Sequence, residues 1–330
     1  MVIEIVAPTS LPLGVAQIET DAGRRTCLVG FTLQHPPVHL LAQAHPGLFV
    51  TGASEKRARA SAKKFRQHVE IAEGIEAEIE LAIPSQMGLS SEPMLGLAMA
   101  RAMAGINELP LEDTVALAKG LGLGPQDALA LWGFDQGGFL VVDTEADEGE
   151  VPPIIRRHSI IREDRDAWGF VLVLPRVPQK TPDSLESECL SHLLEAAPHL
   201  SDTSGQIVAD QLWPALENDD FPEFAQALTR LHKMNGQALD STGYPQTLTS
   251  EAQGILNVMQ EHGSLACGQS LVGLGLYAMV KGSSDAIELR QKLREHWGYH
   301  AGTTRTTITD NDGARHVFRD EDLANVILPD

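Results

Sequence analysis

Residues 76–83 (Glu-Ala-Glu-Ile-Glu-Leu-Ala-Ile) alternate polar and apolar side chains, which predicts a half-buried strand. Residues 93–104, rich in Met, Leu and Ala, predict a buried helix. Between them lies the loop 84–92, Pro-Ser-Gln-Met-Gly-Leu-Ser-Ser-Glu. Upstream, residues 2–6 predict a strand, and 7–14, with Pro8, Pro12 and Gly14, a shaped connection or bulge. Asp21-Ala22-Gly23 predicts a turn between strands, 38–41 a short strand and 55–68 a helix. Helices are predicted over 111–121 and 127–131, then a glycine-bearing turn and strand over 133–143. In the second half, 168–174 is a continuous apolar strand ended by Pro175. Helices follow over 184–194, 203–216, 222–238 and 249–262. A glycine-rich loop then enters a strand over 264–280, with a helix at 285–297, a strand at 303–309 and another at 314–318. This order suits an α/β (α+β) chain whose second half is a split βαβ layer.

The strand–loop–helix at 76–104 is where chemistry concentrates. Ser90 or Ser91 suits the N-cap, and Pro93 the first turn. Free amides and the positive dipole end make such a place a natural phosphate cradle. A plain capped helix behind a tight turn explains the same residues. Arg24 and Arg25 follow the predicted turn directly, as an anion clamp or as a solvated hairpin end. Gly137 and Gly138 let a backbone or a ligand come close. His35 and His39 flank a Pro-Pro pair that forbids helical stacking, so they do not read as metal ligands. The basic residues of 55–68 read as a solvated face.

Composition narrows the partners. The chain has 330 residues, 25 Lys+Arg and 45 Asp+Glu, a net charge of −20. That disfavours nucleic acid and anionic membranes, and obliges any polyphosphate ligand to find local cations or a metal. Three dispersed cysteines, Cys27, Cys189 and Cys267, suit a reducing cytoplasm. No apolar run is long enough to predict a membrane span, and residues 1–6, without a basic start or a long apolar run, do not read as a secretion signal. There is no GxSxG elbow, HExxH, Walker A loop or dinucleotide fingerprint.

Pro84-x-x-x-Gly88-Leu89-x-Ser91 resembles the second signature of the GHMP small-molecule kinase superfamily. Within it the chain resembles the beta-ribofuranosylaminobenzene 5′-phosphate synthase family over nearly its whole length. The carrying segments are Gly23-Arg24-Arg25, residues 84–98, 133–142, 168–175, Leu212-Trp-Pro-Ala-Leu, Gly268-Gln269-Ser270 and Asp310-Asn-Asp-Gly-Ala314, in shared order. The resemblance implies a two-domain fold, a ribosomal-protein-like half over 1–160 and a ferredoxin-like half over 161–330. It implies condensation of 4-aminobenzoate, or a hydroxybenzoate, with phosphoribosyl pyrophosphate, releasing carbon dioxide and pyrophosphate in tetrahydromethanopterin synthesis. It implies phosphate contacts from Arg24, Arg25, Gly88, Leu89, Ser90, Ser91, Gly137, Gly138, Gln269 and Ser270. Ser91, Glu92 and Lys233 are the catalytic candidates, with Mg²⁺ held by Glu92. A homodimer, or a heterodimer with a paralogue, is expected.

The chain departs from the family at each motif. Where relatives have Arg-Leu-His-x-Gly, it has Ser10-Leu11-Pro12-Leu13-Gly14. Where they have Gly-Leu-Gly-Ser-Gly-Thr-Gln, it has Gly88-Leu89-Ser90-Ser91-Glu92-Pro93-Met94. Leu271-Val272-Gly273-Leu274 replaces Ser-Trp-Gly-Pro. Glu92 therefore either holds Mg²⁺ or merely satisfies the helix end. Two alternatives to the synthase stay open, a non-catalytic paralogue serving as a partner subunit and an ATP-dependent small-molecule kinase.

Overall fold

The computed structural model describes residues 1–21, 23–147, 150–160, 167–177, 185–200, 203–242, 248–297 and 302–320. Among these, two sheets and a set of helices enclose a main core, with two smaller apolar clusters beside it. The first half holds strands β1 (Val2–Thr20), β2 (Gly23–His45) and β3 (Leu48–Gly52), helix α1 (Glu55–His68) and strand β4 (Gly74–Leu81). Helices α2 (Ser91–Ile106), α3 (Thr114–Leu121) and α4 (Ala128–Asp135) follow, then strands β5 (Phe139–Asp143) and β6 (Ile154–His158). The second half holds β7 (Trp168–Leu174), α5 (Leu185–Ala196), α6 (Thr203–Gln206), α7 (Trp213–Glu217), α8 (Phe221–Ser241) and α9 (Ser250–Glu261). It ends with β8 (Ala266–Gln269), β9 (Leu276–Lys281), α10 (Ser283–Trp297), β10 (Thr303–Ile308) and β11 (Arg315–Arg319).

The larger sheet runs β11-β1-β2-β4-β3, with β5 on β2 and β6 on β5. Its spine is the β1–β2 hairpin, much longer than the short strands at 2–6 and 38–41 that the pattern predicts. The prolines explain the difference. Pro8 and Pro12 each sit at a register shift, between Ala7 and Thr9 and between Pro12 and Gly14. A residue without an N–H is tolerated at such bulges, so the strand continues through them. On β2 the pairing jumps from Val38 to Leu33, leaving Pro36 and Pro37 outside the ladder with β1. The turn call at Ala22 lies outside the described residues.

The smaller sheet, β10-β7-β9-β8, is antiparallel throughout. Strand β7 is buried on both faces, which is why its sequence is a continuous apolar run. Trp168, Phe170, Leu172 and Leu174 face the main core, while Val171 and Val173 pack with Ile255, Met259, Leu289 and Leu293 of α9 and α10. The chain passes from one sheet to the other between β6 and β7, and the boundary call at 160/161 adjoins residues outside the described set. Strand β11 then returns to pair with β1, so the C-terminal part of the chain completes the first sheet. Asn235 of α8 locks the halves together, its Oδ1 accepting from Val15 N at 2.6 Å and its Nδ2 donating to Val15 O at 2.9 Å. The three cysteines are unpaired. No described helix is long and apolar enough to cross a membrane.

Candidate functional site

Strand β4 ends at Leu81, and the loop after it carries the chain into α2. The predicted serine cap is not formed. Ser90 occupies the N-cap position with φ 54° and ψ 37°, and its side chain makes no capping bond. Ser91 is instead the first helical residue, and its hydroxyl accepts from Arg57 Nη2 at 2.9 Å. Helix α2 is apolar nearly all round and buried, which fixes the loop against a rigid element.

Three segments distant in sequence meet at Gly88. Thr9 Oγ1 donates to Leu89 O at 2.8 Å, tying β1 to the loop. Ser270 Oγ donates to Met87 O at 2.7 Å, and Leu274 N to Gln86 O at 2.8 Å. Leu271 N donates to Pro12 O at 3.3 Å. Gly88 has φ +66°, and a Cβ there would lie 2.2 Å from Ser270 Oγ and 2.8 Å from Gly273 N. A Cβ on Gly273 would lie 2.0 Å from Gly88 N. The two loops are therefore glycine-faced because their backbones touch.

An acid already sits on this loop. Glu186, in the first turn of α5, accepts from Gly88 N at 2.6 Å through Oε1. Burial raises its pKa, the Gly88 amide and Arg57 pull it back, and Glu92 pushes it further up. Glu92 points elsewhere, pairing with Arg57 Nε at 2.6 Å, with its side chain 62% exposed. Glu92 thus does not cover the loop amides. Among the described residues no three His, Cys, Asp or Glu side chains form a metal-ligating group. An ion at Glu92 would need substrate phosphates as its other ligands, an arrangement Mg²⁺ commonly uses.

Beyond Ser270 lies a cleft of about 340 Å³, lined by Lys233, Gln269, Leu271, Cys189, Leu239 and Leu256 among others. Gln269 Nε2 donates to Gly273 O at 2.6 Å, holding the loop's shape. At the cleft His232 accepts from the Tyr277 hydroxyl at 2.9 Å and donates from its other ring nitrogen to Leu13 O. Some of the residue's area stays accessible, but enclosure of the ring drives its pKa down to about 4, against the upward pull of the Leu13 carbonyl. A histidine held neutral in the fold and protonated on unfolding destabilises the native state as pH falls. Stability is full above about 6.5 and declines towards about 4. Between pH 6.5 and 4.5 the wild type is expected to lose roughly 2 kcal/mol more than His232→Gln in urea unfolding. Equal losses would contradict the enclosed, neutral ring.

The structure brings Gly88, Leu89, Ser90, Ser91 and Glu92 together on one loop, sets Ser270 against it, and places Gln269 and Lys233 on the cleft that Ser270 also lines. It does not bring Arg24 and Arg25 there. Arg25 pairs with Ile18, nine residues along β1 from Thr9, which is roughly 30 Å of strand. Arg24 Nη2 donates to Leu200 O at 3.1 Å, and Arg25 binds Glu145 at 2.6 Å. The clamp is a hairpin end that ties down its own neighbours. Gly137 and Gly138 are also corrected. A Cβ on Gly137 would meet Asp310 O at 2.5 Å, and one on Gly138 would meet His158 O at 2.6 Å. Their space is filled by backbone, and Gly138 N donates to Asp310 O at 2.6 Å.

Arg57 and Glu186 are the site residues that the sequence reading missed. Arg57 sat within a basic helix read as a solvated face, and Glu186 lies 98 residues from its partner Gly88. The one available signal was the acidic loop itself, since Glu92 at a cradle calls for a cation nearby.

No known family profile matches the chain. A curated relative does: the beta-ribofuranosylphenol 5'-phosphate synthase of Methanothermobacter thermautotrophicus, 22% identical over 309 residues, spanning 85% of this chain and 90% of the relative. The chain is thus similar in sequence, across most of both lengths, to a beta-ribofuranosylphenol 5'-phosphate synthase. Its fold is shared with small-molecule kinases and a decarboxylase of known structure. L. major mevalonate kinase in complex with R-mevalonate superposes with a TM-score of 0.66 at 13% identity, over 93% of this chain and 96% of that one. Staphylococcus aureus mevalonate diphosphate decarboxylase gives 0.61 at 15% identity, over 96% and 99%. Cytophaga hutchinsonii homoserine kinase gives 0.61 at 16% identity, over 96% and 97%. The likeness to a synthase therefore rests on the sequence match, and the solved structures add the fold.

Proposed function

We propose that the chain catalyses a reaction of the beta-ribofuranosylaminobenzene 5′-phosphate synthase type, joining 4-aminobenzoate or a hydroxybenzoate to phosphoribosyl pyrophosphate. A carbon–carbon bond forms between the sugar C1 and the ring carbon bearing the carboxylate. Pyrophosphate departs with the electron pair of the C1–O bond. The ring–carboxylate bond then breaks, its electrons return to the ring, and carbon dioxide leaves. The protein's tasks are to hold the leaving charge, exclude water and align the ring.

The observation that carries this reading is the Gly88 amide, which holds a carboxylate at 2.6 Å and so behaves as an anion site. Arg57, held at the loop by Ser91 and Glu92, is the cation that a phosphate would recruit. The neighbouring cleft, which carries Leu193, Leu239, Leu248, Leu256 and Leu271 together with Lys233 and Asp240, offers an apolar wall and a cation to an aromatic acid. Glu92 is the residue that would hold Mg²⁺, whose part would be to neutralise the leaving pyrophosphate. We place the reaction in the cytoplasm.

A second reading keeps the fold without the chemistry, as a partner subunit of an intact synthase. Glu186 on the loop and the absence of Arg and His from Ser10-Leu11-Pro12-Leu13-Gly14 favour it. Thermal unfolding separates the two. Under the first, phosphoribosyl pyrophosphate with Mg²⁺ raises Tm, since ligand at 100 times Kd adds about 2.7 kcal/mol, and ATP does not. Under the second neither compound shifts Tm. A rise with ATP alone would favour a kinase.

A further inference from the structure

The loop that should receive phosphate is occupied by the chain's own acid, and this is where the protein's ligand selectivity is set. We propose that Glu186 is the specificity-determining residue of the phosphate loop: its carboxylate stands where a phosphate oxygen would stand, and an anionic ligand enters only by displacing it. The proposal rests on reading the loop as a phosphate site and deepens that reading.

Four observations carry it. The Glu186 Oε1 to Gly88 N distance of 2.6 Å is that of a charge-assisted bond. The amide belongs to the residue with φ +66° at the junction of the two glycine-faced loops, and Glu186 is its acceptor among the described residues. The carboxylate is not needed by the nearest cation, because Arg57 is already paired with Glu92 through Nε and with Ser91 through Nη2. Finally, Glu186 rides on a helix that grips the other loop as well. Leu185, Cys189 and Leu193 are buried, and Cys189 Sγ lies 3.8 Å from Leu271 O. The first turn of α5 therefore lies over both loops, and its one acid at this turn's inner side reaches the amide.

Chemistry then dictates selectivity. A phosphate group approaching Gly88 meets Glu186 and Glu92 as well as Arg57. Like charges at this range oppose entry unless the incoming anion offers more bonds than the carboxylate gives up. A diphosphate, which can bond an amide through one phosphate and a cation through the other, has that advantage. A lone carboxylate or a monophosphate of low charge does not. Glu186 thus screens the loop in favour of polyanionic ligands, and it keeps the amide satisfied when none is bound.

The test is calorimetric titration of the full-length chain with inorganic pyrophosphate in the absence of Mg²⁺. Glu186→Ala removes the competing group, and Glu186→Gln keeps its shape and acceptor oxygen while removing the charge. Both are expected to bind pyrophosphate at least tenfold more tightly than the wild type. Glu188→Ala, an exposed acid two residues along the same helix, is expected to match the wild type. Unchanged or weaker binding in both Glu186 variants, or no measurable binding in either, overturns the proposal, as does an equal gain in Glu188→Ala. Failure of the synthase reading looks different. Tight pyrophosphate binding by Glu186→Ala without carbon dioxide release from any variant leaves Glu186 in its role and removes the reaction. Turnover by the wild type with no gain in affinity on substitution removes only the role given to Glu186.

Discussion

Phe224→Ala is expected to lower the unfolding free energy by about 3–5 kcal/mol, one of the two largest effects of any single change considered. Phe224 is fully buried on α8, with its ring centroid 4.7 Å from Trp168, 5.7 Å from Phe139 and 5.8 Å from Phe31. Phe31 and Phe139 come from the larger sheet and Trp168 from the smaller one. Truncation therefore opens a cavity at the junction of the two sheets, where walls built from different elements have little freedom to collapse inward. Urea unfolding followed by tryptophan fluorescence measures it. A loss under about 1 kcal/mol would mean that the two sheets do not share this aromatic cluster.

Gly88→Ala is expected to part the two loops. The left-handed conformation costs a residue with a Cβ roughly 1–2 kcal/mol. The overlap with Ser270 Oγ at 2.2 Å and Gly273 N at 2.8 Å adds an overpacking cost of about 1–3 kcal/mol. Rotation of Ser270 relieves the first overlap only by giving up its bond to Met87 O. Gly273 N is backbone and moves only with its loop. The combined effect is a stability loss of about 2–5 kcal/mol and disappearance of any Tm rise with phosphoribosyl pyrophosphate. Denaturation and ligand-shift measurements on the same variant check both parts. Normal stability with an intact ligand shift would contradict the loop-on-loop packing.

How legible this molecule is in its sequence depends on whether a residue's partner is near or far along the chain. The alternation at 76–83 marks β4, and the apolar run at 168–174 marks β7, because both record local burial on one or two faces. Helix α2 is equally plain, since its Met, Leu and Ala residues are buried nearly all round. The long hairpin is obscured because prolines at 8, 12, 36 and 37 resemble strand ends, whereas bulges absorb them. Asp113 is readable as a cap and accepts from Ala116 N at 2.8 Å, while Ser90, of an equally suitable type, sits in a left-handed turn and caps nothing.

The site divides in the same way. Gly88 to Glu92 are contiguous, so motif and structure coincide in position. Gly137 and Gly138 mislead because a close approach by backbone and one by a ligand leave the same mark on a sequence. Arg24 and Arg25 mislead because their neighbourhood is decided by the far end of a long hairpin. Glu186 leaves no local trace at all, since an acid in a helix's first turn has an ordinary reason to be there. Its contact with Gly88 comes only from the placement of α5.

The central claim is that this loop and cleft support the condensation of an aromatic acid with phosphoribosyl pyrophosphate. It is tested most directly by incubating the purified chain with phosphoribosyl pyrophosphate, Mg²⁺ and 4-aminobenzoate or 4-hydroxybenzoate labelled in the carboxyl carbon, and counting released carbon dioxide. The account predicts label in the gas phase that depends on both substrates and on Mg²⁺. Label retained in the acid with either compound, from a sample whose melting temperature shows phosphoribosyl pyrophosphate to be bound, would contradict it.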